Sequence, residues 1–187
     1  YGVVNKSYMA LSREMEFHAD EIAAHVTGYM PLTTALLRFQ LADNSMNNVL
    51  SFYEAKISTN QKSENIFREQ HYVMHFLAED NQIPLKNNLP SVSVDELNRF
   101  NKSKLVIKDQ WASHPSTEER IEKLEQTQII KSDENKEPAN HLFQNIEATQ
   151  KLITEHVFSK IVFTDTPNPI PMAVFEKEYM ESFSDNS

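Results

Sequence analysis

The window SREMEFHADEIAAHVTG, Ser12 to Gly28, carries Glu14, Glu16, Asp20 and Glu21 together with His18 and His25, the richest run of potential metal ligands in the chain. Cysteine is absent, so any metal is left to His, Asp and Glu, and disulfides and thiol nucleophiles are excluded. On a helix, at about 100° per residue, these side chains separate into two groups. Glu14, His18, Glu21 and His25 share one flank as four-residue pairs of the kind that decorate solvated helices. Glu16 and Asp20 lie on another flank, one turn apart, with the small residues Ala23 and Ala24 continuing that side and admitting close approach of a second helix. A carboxylate on a close-packed flank needs a cation, a hydrogen-bond donor or a metal, and an exposed acidic pair is the alternative. The stripe Val4, Tyr8, Leu11, Met15, Ile22 and Val26 is expected to face the core.

A second constellation lies in SHPSTEERIEKLE. Pro115 biases His114 towards an extended backbone, Ser116 caps the helix that follows, and Arg120 comes one turn later. Taken alone, this is a turn followed by a solvated helix face. His71 and His75, four apart on a helix, are a rival metal pair. Tyr72 follows His71 where a zinc peptidase helix carries glutamate, and His75 sits among Ile66, Val73, Met74 and Phe76, so a packed or hydrogen-bonded histidine is the expectation there.

Taken together, SREMEFHADEIAAHVTG and the later HPSTEERI resemble the later half of the catalytic domain of the HtpX and CAAX-prenyl-protease family of zinc metalloendopeptidases, over roughly Tyr8 to Gln126. The resemblance implies that Glu16 is the zinc ligand of a Glu-x-x-x-Asp motif. It implies that Asp20 accepts a hydrogen bond from a zinc-bound histidine, fixing its tautomer. His114 then donates to the oxyanion of the tetrahedral intermediate, and Arg120 orients a carboxylate or holds the His-Pro segment. Ser116 stands where the family often has proline. No His-Glu-x-x-His occurs in these 187 residues, so two zinc ligands and the water-activating glutamate are not among them. The chain therefore reads as part of a Zn2+ peptidase acting on membrane or misfolded polypeptides, inactive alone and holding zinc weakly or not at all. Its expected partner is the N-terminal part of its own catalytic domain, and its expected setting is the cytoplasmic side of a membrane-associated parent. The alternative is a non-catalytic helical interaction domain in which Glu16 and Asp20 are a solvated or salt-bridged pair.

The elements that must position these residues are helical. Only two glycines occur, and apolar residues recur at three- and four-residue steps, which predicts a mainly α, bundle-like fold with few or no strands. Helices are expected over Val4–Thr27, from Pro31 onward with a break near Asp43–Ser45, across SENIFREQHYVMHFLAED, after the capping boxes Ser93/Glu96 and Ser116/Glu119, across IEATQKLITEHVFSKI and across AVFEKEYMESF. KLVIKDQW is ambiguous between helix and strand, KSDENKEPAN reads as a charged linker and PNPIP as a stiff turn. Residues 1–126 are expected to be the peptidase part, and 127–187 a linker with a helical extension packed on it. The helical pattern already under way at Tyr1 is expected to continue an upstream segment. The net charge of −9 without basic clusters argues against nucleic acid. No apolar run approaches the ~20 residues that span a bilayer, so the segment itself requires no membrane contact.

Overall fold

Gly28 ends the first helical pattern. The computed structural model describes residues 2–96, 114–132 and 137–184; in it helix α1 spans Gly2–Thr27 and α2 spans Tyr29–Glu54. Gly28 takes φ +83° and donates its N–H to the Ala24 carbonyl at 2.8 Å. The chain leaving α4 (Thr117–Thr127) passes close by, and the Ile129 carbonyl accepts from the Tyr29 N–H at 2.9 Å. A Cβ on residue 28 would lie 3.3 Å from the Lys131 nitrogen. Left-handed backbone and close approach together require glycine.

The break expected near Asp43–Ser45 does not occur, and α2 is continuous. Its polar run bonds within the helix: Ser45 Oγ donates to the Leu41 carbonyl at 2.7 Å, Asn48 Nδ2 to the Asn44 carbonyl at 2.8 Å and Asn47 Nδ2 to Asp43 Oδ2 at 3.3 Å. Side chains that favour caps are satisfied here by the preceding turn.

The chain divides into two compact units, Tyr1–Gln40 with Ser91–Lys136, and Leu41–Pro90 with Glu137–Ser187. In the first, α1 packs on α4, burying Ala24, Ile121 and Leu124. Ser116 opens α4 with a complete capping box: its Oγ accepts from the Glu119 N–H at 3.2 Å while its own N–H donates to Glu119 Oε2 at 2.8 Å. Ser93 and Glu96 form the same reciprocal pair at 2.6 and 3.2 Å. The body of the helix expected after Ser93, all of KLVIKDQW and residues 133–136 of the charged linker lie outside the described residues.

One expectation for α1 is reversed. Of the stripe expected to face the core, Tyr8, Leu11, Met15, Ile22 and Val26 are each more than half exposed, and the Val4 side chain lies outside what is described. The side that packs on α4 carries Arg13, Glu16, Phe17, Asp20 and Ala24. Apolar periodicity identifies a face that wants cover, not which neighbour supplies it. Here ion pairs make the polar face the internal one, while Glu14, His18, Glu21 and His25 are exposed as expected.

The second unit is built around aromatic packing. Helix α3 (Ile66–Asp80) is capped by Asn65, whose side chain accepts from the Phe67 and Arg68 N–H groups. It packs on α5 (Ile146–Phe158) and α6 (Met172–Ser184). Val49, Tyr53, Ile66, Val73, Phe158, Ile170, Phe175 and Tyr179 form the buried core. Phe52 meets Phe175 edge-on with ring centroids 4.9 Å apart, and Tyr53 meets Phe158 likewise at 5.5 Å.

PNPIP is not simply a turn. Within it Asn168–Ile170 forms strand β4, parallel to β1 (Gln61–Ser63), with Lys62 opposite Pro169. A two-stranded ladder tolerates proline because both strands are edges. Asn60, at φ +54°, anchors the pair: its side-chain oxygen accepts from the Thr164 and Asp165 N–H groups, and its carbonyl accepts from the Asn168 N–H. Strands β2 (Leu85–Lys86) and β3 (Leu89–Pro90) form a hairpin whose two turn residues, Asn87 and Asn88, both have positive φ. Asparagine is a side chain that accepts that backbone. The fold is mainly α, with short strands only among the described residues.

Candidate functional site

Three- and four-residue steps along α1 put Arg13, Glu16, Asp20 and Ala24 on one face, which meets the start of α4. Ala24 is fully buried, and its small side chain lets the helices approach. The turn His114–Pro115–Ser116 leads into α4 with Ser116 extended at φ −69°, ψ 160°. His114 is thereby carried to Glu16, 98 positions away in sequence, and its Nδ1 contacts Glu16 Oε1 directly. No described residue bonds the His114 Nε2, and the side chain is 73 % exposed.

Asp20 is buried, and Arg120 grips it with both edges of its fork: Nε donates to Oδ2 at 2.8 Å and Nη2 to Oδ1 at 2.7 Å. This bidentate pairing is the strong form of the interaction. The hydrogen bond to Asp20, aided by the charges of Asp20 and Glu16, raises the Arg120 pKa above its already high ordinary value. Arg120 Nη1 also lies 3.8 Å from Glu16 Oε2, within ionic reach. Glu16, Asp20, His114 and Arg120 therefore converge on one place. The partner of Asp20 within the described residues is a guanidinium, where the family resemblance implies an imidazole.

Arg13, not among the expected site residues, joins them. Its Nη1 donates to the His114 carbonyl at 3.2 Å and its Nη2 to Glu119 Oε2 at 2.9 Å. The available signal was its spacing, three residues before Glu16 and seven before Asp20, which places it on the same face.

A second buried acid, Glu69, has no motif in the sequence that marks it. It accepts from Tyr53 Oη and Ser63 Oγ, each at 2.7 Å. Burial, opposed by these two hydrogen bonds, raises its pKa from an ordinary 4.5 to about 7, and burial beside Glu69 raises that of Tyr53 strongly. Of the rival histidines, His75 is hydrogen-bonded as expected: its Nδ1 lies 2.8 Å from the His71 carbonyl and its Nε2 3.0 Å from the Asn88 carbonyl. Burial, then the neighbouring His75, lowers the His71 pKa.

Among the described residues, no group of three or more His, Asp or Glu side chains is placed to hold a metal ion. A catalytic zinc needs three protein ligands, and the constellation offers one accessible carboxylate, Glu16. These residues do not form a zinc site by themselves. Among the described residues, no helix is long and apolar enough to cross a membrane.

The family model for Peptidase family M48 matches residues 1–128. No curated protein and no solved structure matches the chain. The matched stretch contains α1, the His114–Pro115 turn and α4, and takes in most of the sequence; the chain belongs to peptidase family M48.

Proposed function

We propose that these residues are part of an M48 zinc metalloendopeptidase, supplying Glu16 as the third protein ligand of the metal and His114 as a donor to the reacting carbonyl oxygen of a polypeptide substrate. The observation that carries this is the convergence of Glu16 and His114 across 98 positions, with the His114 side chain 73 % exposed and its Nε2 unbonded among the described residues. Its Nδ1 rests against Glu16, which orients the ring. Arg120 fixes Asp20 and so the pairing of α1 with α4 around both.

The two other ligands come from a His-Glu-x-x-His helix outside these residues, and the exposed stripe Tyr8, Leu11, Met15, Ile22 and Val26 supports this. An apolar stripe of that length on an otherwise charged helix marks a surface that another element covers. In this reading residues 1–126 complete the catalytic domain and 127–187 extend it. The natural setting is the cytoplasmic side of a membrane-associated protein that degrades membrane or misfolded polypeptides, an inference from the family resemblance.

A second reading keeps the fold without catalysis. It is favoured by the degree to which Glu16, Asp20, His114 and Arg120 satisfy one another, as an ordinary salt-bridged interface would. Glu16→Ala in the protein that carries the histidine pair separates the two readings. Loss of both zinc and proteolysis is expected; full retention of both would leave the interaction domain as the answer.

A further inference from the structure

We propose that Arg13 is a positioning residue for the peptidase reaction, clamping the His114–Pro115–Ser116 turn at both ends so that His114 is held against Glu16. This rests on the roles given above to Glu16 and His114. Pro115 has no N–H, so the turn has few backbone donors with which to fix itself. Arg13 provides the missing restraint from α1. One nitrogen donates to the His114 carbonyl at 3.2 Å, and the other donates to Glu119 Oε2 at 2.9 Å. That same Glu119 oxygen accepts the Ser116 N–H at 2.8 Å. The guanidinium thus grips the turn directly at its first residue and, through Glu119, at its last.

The geometry suits arginine specifically. A planar fork makes two bonds in fixed directions, whereas a lysine ammonium keeps the charge but is a single point on a flexible stem. An ion pair serving only to hold two helices together would need the Glu119 contact alone. The contact with the His114 carbonyl lies on the very residue whose ring must be aimed, and displacement of such a group by about 1 Å costs on the order of a hundredfold in rate.

The test uses Arg13→Lys and Arg13→Ala in the protein carrying the histidine pair, with steady-state proteolysis. A parallel NMR measurement follows the His114 ring signals in the 187-residue chain, assigned through His114→Gln. Arg13→Lys is expected to keep its melting temperature and KM while kcat falls about ten- to a hundredfold, and the His114 ring signals shift. Arg13→Ala is expected to lose at least as much kcat; if it fails to fold, Arg13→Lys decides. Unchanged kcat and ring signals in Arg13→Lys, beside an inactive Glu16→Ala control, would overturn the positioning role while leaving Glu16 as ligand. An active Glu16→Ala control would overturn the metal reading, and the role of Arg13 with it.

Discussion

Asp20 and Glu69 are the buried acids among the described residues, one in each compact unit, and they are satisfied in opposite ways. Asp20 meets a cation, the bidentate Arg120. Glu69 meets two hydroxyls, Tyr53 and Ser63, inside an aromatic core with no cation bonded to it among the described residues. The first is surrounded by groups that reach solvent: the Glu16 side chain is 28 % exposed and that of His114 73 %. The two groups bonded to Glu69 are themselves buried, and burial is the main cause that raises its proton equilibrium to near neutrality, with the charge of the exposed Glu64 adding to it. A perturbed acid is thus a poor guide to chemistry by itself, and accessible partners of complementary type are what distinguish the α1–α4 constellation.

The largest expected effect breaks the charged pairing. Arg120→Met leaves Asp20 buried without its cation and should destabilise the first unit by about 3 kcal/mol, the lower end of the range for such pairs because Arg120 is partly exposed. Chemical denaturation followed by a probe in that unit measures it, and a loss under about 1 kcal/mol would make the pair no better than a surface salt bridge.

Glu69 gives the opposite signature, a dependence on pH. Its folded pKa is raised, so its contribution is fully present below pH 4.5 and is lost as pH rises to about 7, staying lost above that. At 1.36 kcal/mol per pH unit, the rise from 4.5 to about 7 amounts to about 3 kcal/mol. Glu69→Gln keeps acceptor and donor capacity without a titrating proton, so its unfolding free energy should lose that slope and exceed that of the parent at pH 8. An unchanged slope would assign the pH dependence elsewhere.

Much of the helical layout was legible because helix ends and apolar periodicity are local. Gly28, the Ser116/Glu119 box and the pattern through Ile146–Phe158 each announce themselves within a few residues. The side on which α1 packs was not legible. Its polar face becomes internal only because Arg120 lies 100 positions from Asp20, and no local pattern reports that. The β1–β4 pairing was hidden for the same reason: Asn168–Ile170 is a strand only because Gln61–Ser63 lies beside it. Glu16, Asp20, His114 and Arg120 were legible through the resemblance of their two motifs to the family, whereas Arg13 has no ligand chemistry and is marked only by its place on the same helix face.

Smaller effects sharpen the contrast at the two caps. Asn65→Ala and Ser116→Ala each remove a helix N-cap and should each cost about 1 kcal/mol, read by denaturation. Only Ser116→Ala, next to the His-Pro turn, should also move the His114 ring signals. If Asn65→Ala moved them equally, the caps would not distinguish the two units.

The central claim, that these residues hold one zinc ligand of three, is tested most directly by zinc stoichiometry. Calorimetric titration of the 187-residue chain should show no tight equimolar site, while the protein carrying the histidine pair should hold one zinc and lose it on Glu16→Ala. Tight equimolar zinc in the 187-residue chain, or zinc retained by the Glu16→Ala protein, would contradict the claim.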